Sequence, residues 1–534
     1  MTRIHKSAWL WALTSGVLQV LVFPKPGLYF LCWIAIAPLI YAILRAREAD
    51  ASQLLAERDT FSYLVAARVR DGFLLGWVSG IVTYAGTCYW VYNVMNLYGG
   101  LHPVLAAVLL VLFAMFIGLH HAVFGALLAA AAKARTGFSR RALVLAPFLW
   151  VSVELLRTYI VSFPWNLLGT AQVDNIPLAR LASVTGVYGI SFEIALVNSA
   201  FAASFLIRPR RRKNLLVAAV TSAIALQAAQ FVEVHPAPAD RHALLVQQNI
   251  AITDRWTPEY FYNTIRELSA ASSVARKLNA SVIIWPESPA PFFINDDRFV
   301  SAVARLAREQ KAHVIAGSLG VREAAKGTEP ENVFNSAVLL GPDGSVQSRY
   351  DKVHLVPWGE YIPYSSIFSF AKALTAEVGN FEPGTARIPL ALGDENAGVF
   401  ICYESVFPGE VRQFADHGAQ VFVNISNDGW FGESGAPEQH LDMVRMRAIE
   451  NGRWVLRATN TGITASIDPM GRVVAVAPRN QRTVLDAPYM LLGDTTVYTR
   501  NGDWFPISCA IISIAGLLWR GRRTGPGMAE PQPV

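Results

Sequence analysis

The sequence predicts an α-helical membrane domain of about eight transmembrane helices, joined to an α/β domain outside the cytoplasm. Three observations support this fold class. Hydrophobic residues make up 53% of the 534 residues and charged residues only 16%, which is too apolar for an ordinary soluble enzyme. Long apolar stretches occupy the first part of the chain and its last part. Between them, short β-rich runs alternate with amphipathic helical runs, which is typical of an α/β domain with one core.

The membrane domain is predicted from apolar stretches long enough to cross a hydrocarbon core of about 30 Å. They lie at residues 8–22, 28–44, 73–91, 103–132, 143–159, 189–207, 215–232 and 504–519. We expect the first stretch to be a helix rather than a signal peptide, because it turns straight into the second without a small-residue cleavage site. The predicted boundaries are 1–235 for transmembrane helices one to seven, 236–500 for the α/β domain, and 501–534 for helix eight and a cytoplasmic tail.

The basic residues indicate the orientation of the membrane domain. They cluster at Arg3 and Lys6 and in residues 45–70, 133–141, 208–213 and 520–523, which all fall on one side if both termini are cytoplasmic. The opposite loops carry almost no basic residues, and the α/β domain falls on that same outer side. The net charge of +6 therefore reflects membrane topology, and we expect no nucleic-acid partner.

Three titratable residues of the α/β domain come directly after strand-like runs. They are Glu287, Lys352 and Cys402. Because strand ends in an α/β sheet converge on one edge, a carboxylate, an ammonium and a thiol are predicted to meet in one pocket. Such a trio suits acyl transfer. The carboxylate takes the thiol proton, the thiolate attacks a carbonyl carbon, and the ammonium stabilises the oxyanion.

Each of these residues also has an ordinary explanation. A cysteine flanked by apolar residues is more often an inert core residue than a nucleophile, and a glutamate or lysine in a turn is usually only solvated. Cys402 differs from the three other cysteines, because Cys32, Cys88 and Cys509 lie in predicted transmembrane stretches. The outer domain is thus predicted to hold one thiol.

The motifs around the three residues resemble those of the carbon-nitrogen hydrolase, or nitrilase, superfamily. They read Trp-Pro-Glu-Ser at 285–288, Tyr-Asp-Lys-Val-His-Leu at 350–355 with Gly-Glu-Tyr at 359–361, and Ile-Cys-Tyr-Glu at 401–404. Together with the apolar stretches and the place of the domain before the last of them, they make nearly the whole chain similar to the apolipoprotein N-acyltransferases. The resemblance implies a nitrilase-like αββα sandwich for the outer domain.

The resemblance also implies a role for each matching residue. Glu287 would be the general base and Lys352 the oxyanion stabiliser. Cys402 would be the nucleophile that forms a thioester. The supporting residues would be Glu360, Tyr403 and Glu404, with the backbone N–H of Tyr403 as a second oxyanion donor. Trp256 would be an aromatic residue near the lipid entrance.

The function implied by the resemblance is acyl transfer at the periplasmic side of the bacterial inner membrane, by a multi-pass protein with both termini in the cytoplasm. The enzyme would move the sn-1 acyl chain of a phospholipid, phosphatidylethanolamine, to the α-amino group of the N-terminal diacylglyceryl-cysteine of apolipoproteins. It would act as a monomer without a cofactor. Two alternatives stay open. A tethered amidase or nitrilase acting on a small carbon-nitrogen substrate needs only one span, and a transporter needs paired ionisable residues within its spans.

Several other residues are secondary candidates. Two interpretations are open for the aromatic residues Trp358, Trp430 and Phe431 and for residues 362–370. They form a lid that dips into lipid, or they pack under their own loops. Glu154, inside the fifth stretch, is expected to pair with Arg157 one turn later. The histidines lack metal-ligand spacing, so no metal site is predicted.

Overall fold

The computed structural model describes residues 3–48, 64–132, 140–206, 209–235, 237–252, 257–288, 290–322, 332–361 and 381–519. The apolar first part of the chain folds into helices, with a short ribbon of strands β1 (Arg47–Glu48) and β2 (Leu64–Val65). The helices are α1 Lys6–Val22, α2 Cys32–Ala35, α3 Ala37–Leu44, α4 Val69–Thr87, α5 Trp90–Asn93, α6 Pro103–Ile117, α7 Leu119–Ala132, α8 Arg140–Leu156, α9 Ile176–Ala179, α10 Ala182–Thr185, α11 Val187–Leu206 and α12 Pro209–Ala228.

Four helical segments of the described chain are long and apolar enough to cross a membrane. They are Pro103–Ala132, Arg140–Val161, Val187–Leu206 and Arg212–Phe231. Helices also occupy the other four stretches that the sequence assigned to the membrane, but these are shorter or less apolar. The exposed apolar side chains along α6 and α12, such as Val104 and Ile224, are those that a lipid environment would cover.

Glycines let α4 and α7 pack with their backbones in contact. Gly72, Gly76 and Gly80 lie one turn apart on α4 and face α7. A Cβ atom at Gly76 would lie 2.1 Å from the carbonyl oxygen of His121, and one at Gly125 would lie 2.1 Å from that of Gly72. This spacing of small residues is the one that transmembrane helices use for close packing.

The expected pairing of Glu154 with Arg157 is wrong. Among the described residues, the Glu154 carboxylate accepts hydrogen bonds from the backbone N–H of Leu168 at 2.8 Å and the indole N–H of Trp150 at 3.2 Å. Arg157 instead donates to the carbonyl oxygen of Trp165 at 3.1 Å and to the hydroxyl of Tyr84. From Arg157 onward the helix continues as a π-helical turn, Arg157–Val161.

The α/β domain, called the outer domain after its predicted location, contains two six-stranded sheets. Its elements run in chain order β3 Arg241–Gln247, α13 Pro258–Ser272, β4 Ala280–Ile284, α14 Asp297–Gln310, β5 His313–Val321, β6 Val333–Leu340, β7 Val346–Asp351, β8 Leu390–Leu392, β9 Glu395–Ile401, α15 Pro408–Asp416, β10 Val421–Ser426, α16 Ala436–Asn451, β11 Val455–Thr459, β12 Ala465–Ile467, β13 Val473–Val476 and β14 Thr483–Tyr489. The first sheet has the order β14-β3-β4-β5-β6-β7 and the second β13-β12-β11-β10-β9-β8. Strands β3 to β5 are parallel, as are β9 to β11. Helices α17 Val497–Asn501 and α18 Trp504–Leu518 then return to the membrane domain.

The sheets pack face to face and carry helices on their outer faces. Along β3, Ala243 and Leu245 face the second sheet, whereas Leu244 and Val246 lie in a separate core with residues of α13 and α14. Helices α15 and α16 cover the second sheet. The result is an αββα sandwich with two cores, not the single core expected from the alternation of elements. The central strands of both sheets are buried on both faces, which is why their sequences are continuously apolar.

The outer domain rests on the membrane domain through an aromatic core that both domains share. This core contains Trp90 and Trp165 of the membrane domain together with Tyr403, Phe407 and Met443 of the outer domain. The indole N–H of Trp165 donates to the Gln439 side chain at 2.6 Å, and the Tyr403 hydroxyl donates to the carbonyl oxygen of Ser162 at 2.9 Å. The turn that carries Cys402 therefore lies directly against the membrane domain.

Candidate active site

The three predicted catalytic residues follow strands of both sheets. Glu287 comes after β4 and Lys352 after β7 in the first sheet, whereas Cys402 comes directly after β9 in the second. The sequence predicted that they would share the edge of one sheet, and they do not. The face-to-face packing of the two sheets brings them together, and the Cys402 thiol lies within the electrostatic influence of both Glu287 and Lys352.

A buried cluster of two carboxylates and one ammonium forms the polar part of the site. The Lys352 Nζ atom lies 3.4 Å from Oε1 of Glu287 and 3.0 Å from Oε1 of Glu360, and the lysine side chain is only 1% exposed. The amide nitrogen of Asn335 lies 2.8 Å from the same Glu287 oxygen and 2.7 Å from the same Glu360 oxygen. One amide and one ammonium thus hold both carboxylates in place.

Backbone donors complete this cluster and fix the direction of each carboxylate. The second oxygen of Glu287 accepts the N–H of Asn427 at 2.8 Å, and the second oxygen of Glu360 accepts the N–H of Val356 at 2.8 Å. Burial by itself would lower the pKa of Lys352, but the Glu360 and Glu287 carboxylates outweigh burial and hold that pKa above its usual value. Lys352 is therefore a permanent cation in the site.

Cys402 lies at the start of a single 3₁₀ turn, Cys402–Val406, with a left-handed backbone (φ +49°). A non-glycine residue in this region is strained, and such strain is often found at functional sites. Burial raises the pKa of the thiol, and the negative charge of Glu287 raises it further against the opposing pull of Lys352. The resting group is a neutral thiol, so a nearby base must accept its proton before it can attack.

Glu404 ties the nucleophile turn to the segment that follows Lys352. One carboxylate oxygen accepts the Ile401 N–H at 2.7 Å. The other accepts the hydroxyl of Tyr350 at 2.7 Å and the backbone N–H groups of Val353 and His354 at 2.8 and 3.1 Å. Burial raises the pKa of Glu404, although the Ile401 N–H, the Tyr350 hydroxyl, the charge of Lys352 and the His354 N–H counteract it. Glu404 thereby sets the distance between the two halves of the site and is a positioning residue.

The remaining predicted aromatic residues differ in their surroundings. Trp358 and Trp430 are 45% and 42% exposed. Phe431 instead packs edge-on against Trp90 and Trp165, with ring centroids 4.9 and 5.6 Å apart. The Trp430 ring also meets the membrane domain, at Tyr98, with centroids 5.8 Å apart. Two predicted elements, Trp256 and residues 362–370, lie outside the described residues.

Two family models and many relatives match this chain. The apolipoprotein N-acyltransferase N-terminal domain matches residues 15–200, and the carbon-nitrogen hydrolase model matches residues 243–490. A relative named apolipoprotein N-acyltransferase from Geobacter metallireducens is 36% identical over 95% of this chain and 94% of its own length. One of the same name from Methylococcus capsulatus is 33% identical over 97% and 96%.

The chain belongs to the apolipoprotein N-acyltransferase family. Its relatives match the membrane domain as well as the outer domain, so the tethered amidase is not favoured. Among solved structures, a carbon-nitrogen hydrolase from Helicobacter pylori G27 is 20% identical, covers 46% of this chain and 88% of its own, and has a TM-score of 0.35.

Sequence reasoning missed several residues of this candidate site. Asn335 and Asn427 contact the carboxylate of Glu287 directly, and a buried group of Asp428, His440 and Arg457 lies behind the nucleophile. Asn335 had a detectable signal, because it and the neighbouring Ser336 are polar residues within a strand, β6, whose other residues are apolar. His440 was considered only as a metal ligand. Among the described residues, no group of three or more His, Cys, Asp or Glu is arranged to hold a metal.

The geometry permits covalent acyl chemistry at Cys402. The thiol is under the electrostatic influence of a buried carboxylate that can accept its proton, and the Lys352 ammonium lies 3.4 Å from that carboxylate. The cation and a backbone N–H at the start of the 3₁₀ turn are suited to a developing oxyanion. No step of this chemistry requires a redox group.

Proposed function

We propose that this protein transfers the sn-1 acyl chain of a membrane phospholipid to the α-amino group of the N-terminal diacylglyceryl-cysteine of apolipoproteins, through a thioester on Cys402. The observation that carries this proposal is the place of the nucleophile. The Cys402 thiol is under the electrostatic influence of the Glu287 carboxylate and the Lys352 ammonium, and the turn that carries it lies against the membrane domain through Tyr403. A thiol in that position is within reach of an ester at the lipid headgroup boundary.

The first half-reaction forms the acyl-enzyme. Glu287 accepts the thiol proton while the Cys402 sulfur attacks the ester carbonyl carbon. The negative charge that develops on the carbonyl oxygen is stabilised by the Lys352 ammonium and the backbone N–H of Tyr403. When the intermediate collapses, the carbon–oxygen bond breaks, the leaving oxygen takes the proton back from Glu287, and a lysophospholipid departs.

The second half-reaction passes the acyl chain to the acceptor. The lysophospholipid vacates the site, and the α-amino group of the diacylglyceryl-cysteine attacks the thioester carbonyl carbon. Glu287 takes a proton from the attacking amine and returns it to the departing Cys402 sulfur, so an amide forms and the free thiol is regenerated. Because two lipid-anchored substrates are difficult to accommodate beside one thiol, they bind in turn, which gives ping-pong kinetics.

The proposal extends to partners and location. The donor is phosphatidylethanolamine, the acceptor is a diacylglyceryl-apolipoprotein, and the enzyme works as a monomer without a cofactor. About eight helices span the bacterial inner membrane, with the catalytic domain in the periplasm and both termini in the cytoplasm. The basic loops support this orientation, and so does the packing of the outer domain on the base-poor loop 161–185, through Ser162 and Trp165.

The intact mass of the detergent-purified protein tests the proposal. Incubation with a defined phosphatidylethanolamine is expected to add one acyl chain, removable by hydroxylamine, to the wild type and not to Cys402→Ala. A diacylglyceryl-cysteine peptide added afterwards should discharge that adduct and gain the chain as an amide. An unchanged mass, with hydrolysis of small amides instead, would replace the proposal with the amidase.

A further inference from the structure

Behind the nucleophile lies a second cluster of charged side chains that the proposed mechanism does not use. Asp428 lies at the centre, with one oxygen 2.9 Å from Nδ1 of His440 and the other 2.6 Å from Nη2 of Arg457. All three side chains are 0% exposed. A buried ionic cluster is weak support for stability, because apolar residues of similar volume would often serve as well. Its contacts therefore suggest another role.

The cluster touches the nucleophile turn at two points. Nε2 of His440 lies 3.2 Å from the carbonyl oxygen of Cys402 and 2.7 Å from the hydroxyl of Ser405. The hydroxyl of Ser426 donates to Asp428 at 2.8 Å and also lies beside the Cys402 thiol. Cys402 has the left-handed backbone that only surrounding contacts can maintain, and His440 contacts its carbonyl group.

On its other side, the cluster touches the membrane domain. The ring of Trp165 stacks on the ring of His440, with centroids 5.8 Å apart and planes at 29°. Trp165 also donates to the neighbouring Gln439 at 2.6 Å, and its side chain is fully buried. The orientation of His440 is thus determined from one direction by Asp428 and from another by the docked membrane domain.

We propose that His440 is a positioning residue that holds the strained Cys402 turn in its reactive geometry, and that Trp165 makes this geometry depend on contact with the membrane domain. The thiol would then be correctly placed only where lipid substrates are supplied. This inference rests on the acyl transfer proposed above. It differs from that proposal in concerning how the nucleophile is held, and not which substrates it meets.

Two substitutions at His440 separate positioning from simple structural support. His440→Gln places an amide nitrogen near the position of Nε2 and can still reach the Cys402 carbonyl group. His440→Asn places its amide nitrogen near Nδ1 and can reach only Asp428. We expect His440→Asn to slow single-turnover thioester formation by about 10²-fold, as a misplaced reacting group does, and His440→Gln to retain more of the rate. Both variants bury an amide at the same position, so their melting temperatures should be similar.

A third substitution tests the link to the membrane domain. Trp165→Leu removes the stacked ring and should slow thioester formation in the same way, and the double variant with His440→Asn should be no slower than the slower single variant. The matched control is Asp174→Asn. It breaks a different contact between the same helix α16 and the membrane domain, the 2.6 Å ion pair with Arg445, and should leave the rate unchanged.

The reactivity of Cys402 toward iodoacetamide provides a readout that does not depend on lipid. If the wild type forms no lipid adduct, the proposed function fails, and alkylation still shows whether His440 controls the thiol. We expect the alkylation rate to be highest in the wild type, lower in His440→Gln and lowest in His440→Asn. Equal alkylation and acylation rates in the two His440 variants, or additive effects in the double variant with Trp165→Leu, would overturn the inference.

Discussion

Replacing Lys352 by methionine removes the one cation from the carboxylate cluster of the site. The ammonium lies 3.4 Å from Glu287 and 3.0 Å from Glu360, and it is 1% exposed. Lys352→Met keeps much of the side-chain volume and leaves two buried carboxylates that share only the amide of Asn335. We expect the variant to unfold more easily and to lose acylation activity.

The expected magnitudes follow from this geometry. Removing one member of a buried ionic group costs about 3–5 kcal/mol, because an uncompensated charge remains. Adding Glu360→Gln to Lys352→Met removes one of the two unpaired charges and should recover roughly 1–3 kcal/mol of the free energy of unfolding. Activity should not return, because loss of an oxyanion donor costs about 10²–10³-fold in rate whatever the state of Glu360.

Thermal unfolding in detergent, followed by tryptophan fluorescence, and single-turnover acylation measure the two effects separately. The control is Lys25→Met, whose partner Glu438 lies 3.7 Å away but whose own side chain is 60% exposed. An exposed pair of this kind should change stability by about 1 kcal/mol or less. The reasoning is refuted if Lys352→Met is as stable as the control, or if Glu360→Gln restores acylation in the double variant.

Three further outcomes are expected at other positions. Glu404→Gln turns an amide group toward at least one buried N–H donor and should lower the free energy of unfolding by about 2–3 kcal/mol. Tyr350→Phe removes only one of the four donors to Glu404 and should lower it by about 1 kcal/mol. Denaturant unfolding would contradict this if Tyr350→Phe were the more destabilising of the two. Glu287→Gln removes a negative charge that raises the pKa of Cys402, so the midpoint of iodoacetamide alkylation against pH should move downward while lipid acylation is lost. An unchanged midpoint would mean that the two groups do not interact, and an upward shift would contradict the sign of the interaction. Burial opposes ionisation of Asp428, but the Arg457 guanidinium and the side chains that hydrogen-bond to Asp428 hold the pKa of the carboxyl below its usual value. Its stabilising contribution is therefore complete above about pH 4 and declines as the pH falls further, so the stability difference between wild type and Asp428→Asn should shrink only in that acidic range.

Much of this protein is predictable from local sequence patterns. Apolar stretches long enough to cross a membrane indicate helices, because a helix satisfies its own backbone hydrogen bonds within one segment. The sequences Gly-Pro-Asp-Gly at 341–344 and Asp-Pro-Met-Gly at 468–471 are typical of hairpin turns, and in the structure they separate β6 from β7 and β12 from β13. Glu287, Lys352 and Cys402 could be singled out because each follows a strand and lies in a short motif.

Only the tertiary structure decided which side chains act on these three residues. Asn335 reaches Glu287 from 48 positions away, and Trp165 meets Gln439 across 274 positions. A single Asn in a strand or a Trp in a loop has the same local pattern whether it faces solvent, a core or an active site. The packing of two sheets and the docking of one domain on the other determine these contacts, and both depend on the summed burial of many side chains rather than on any local motif.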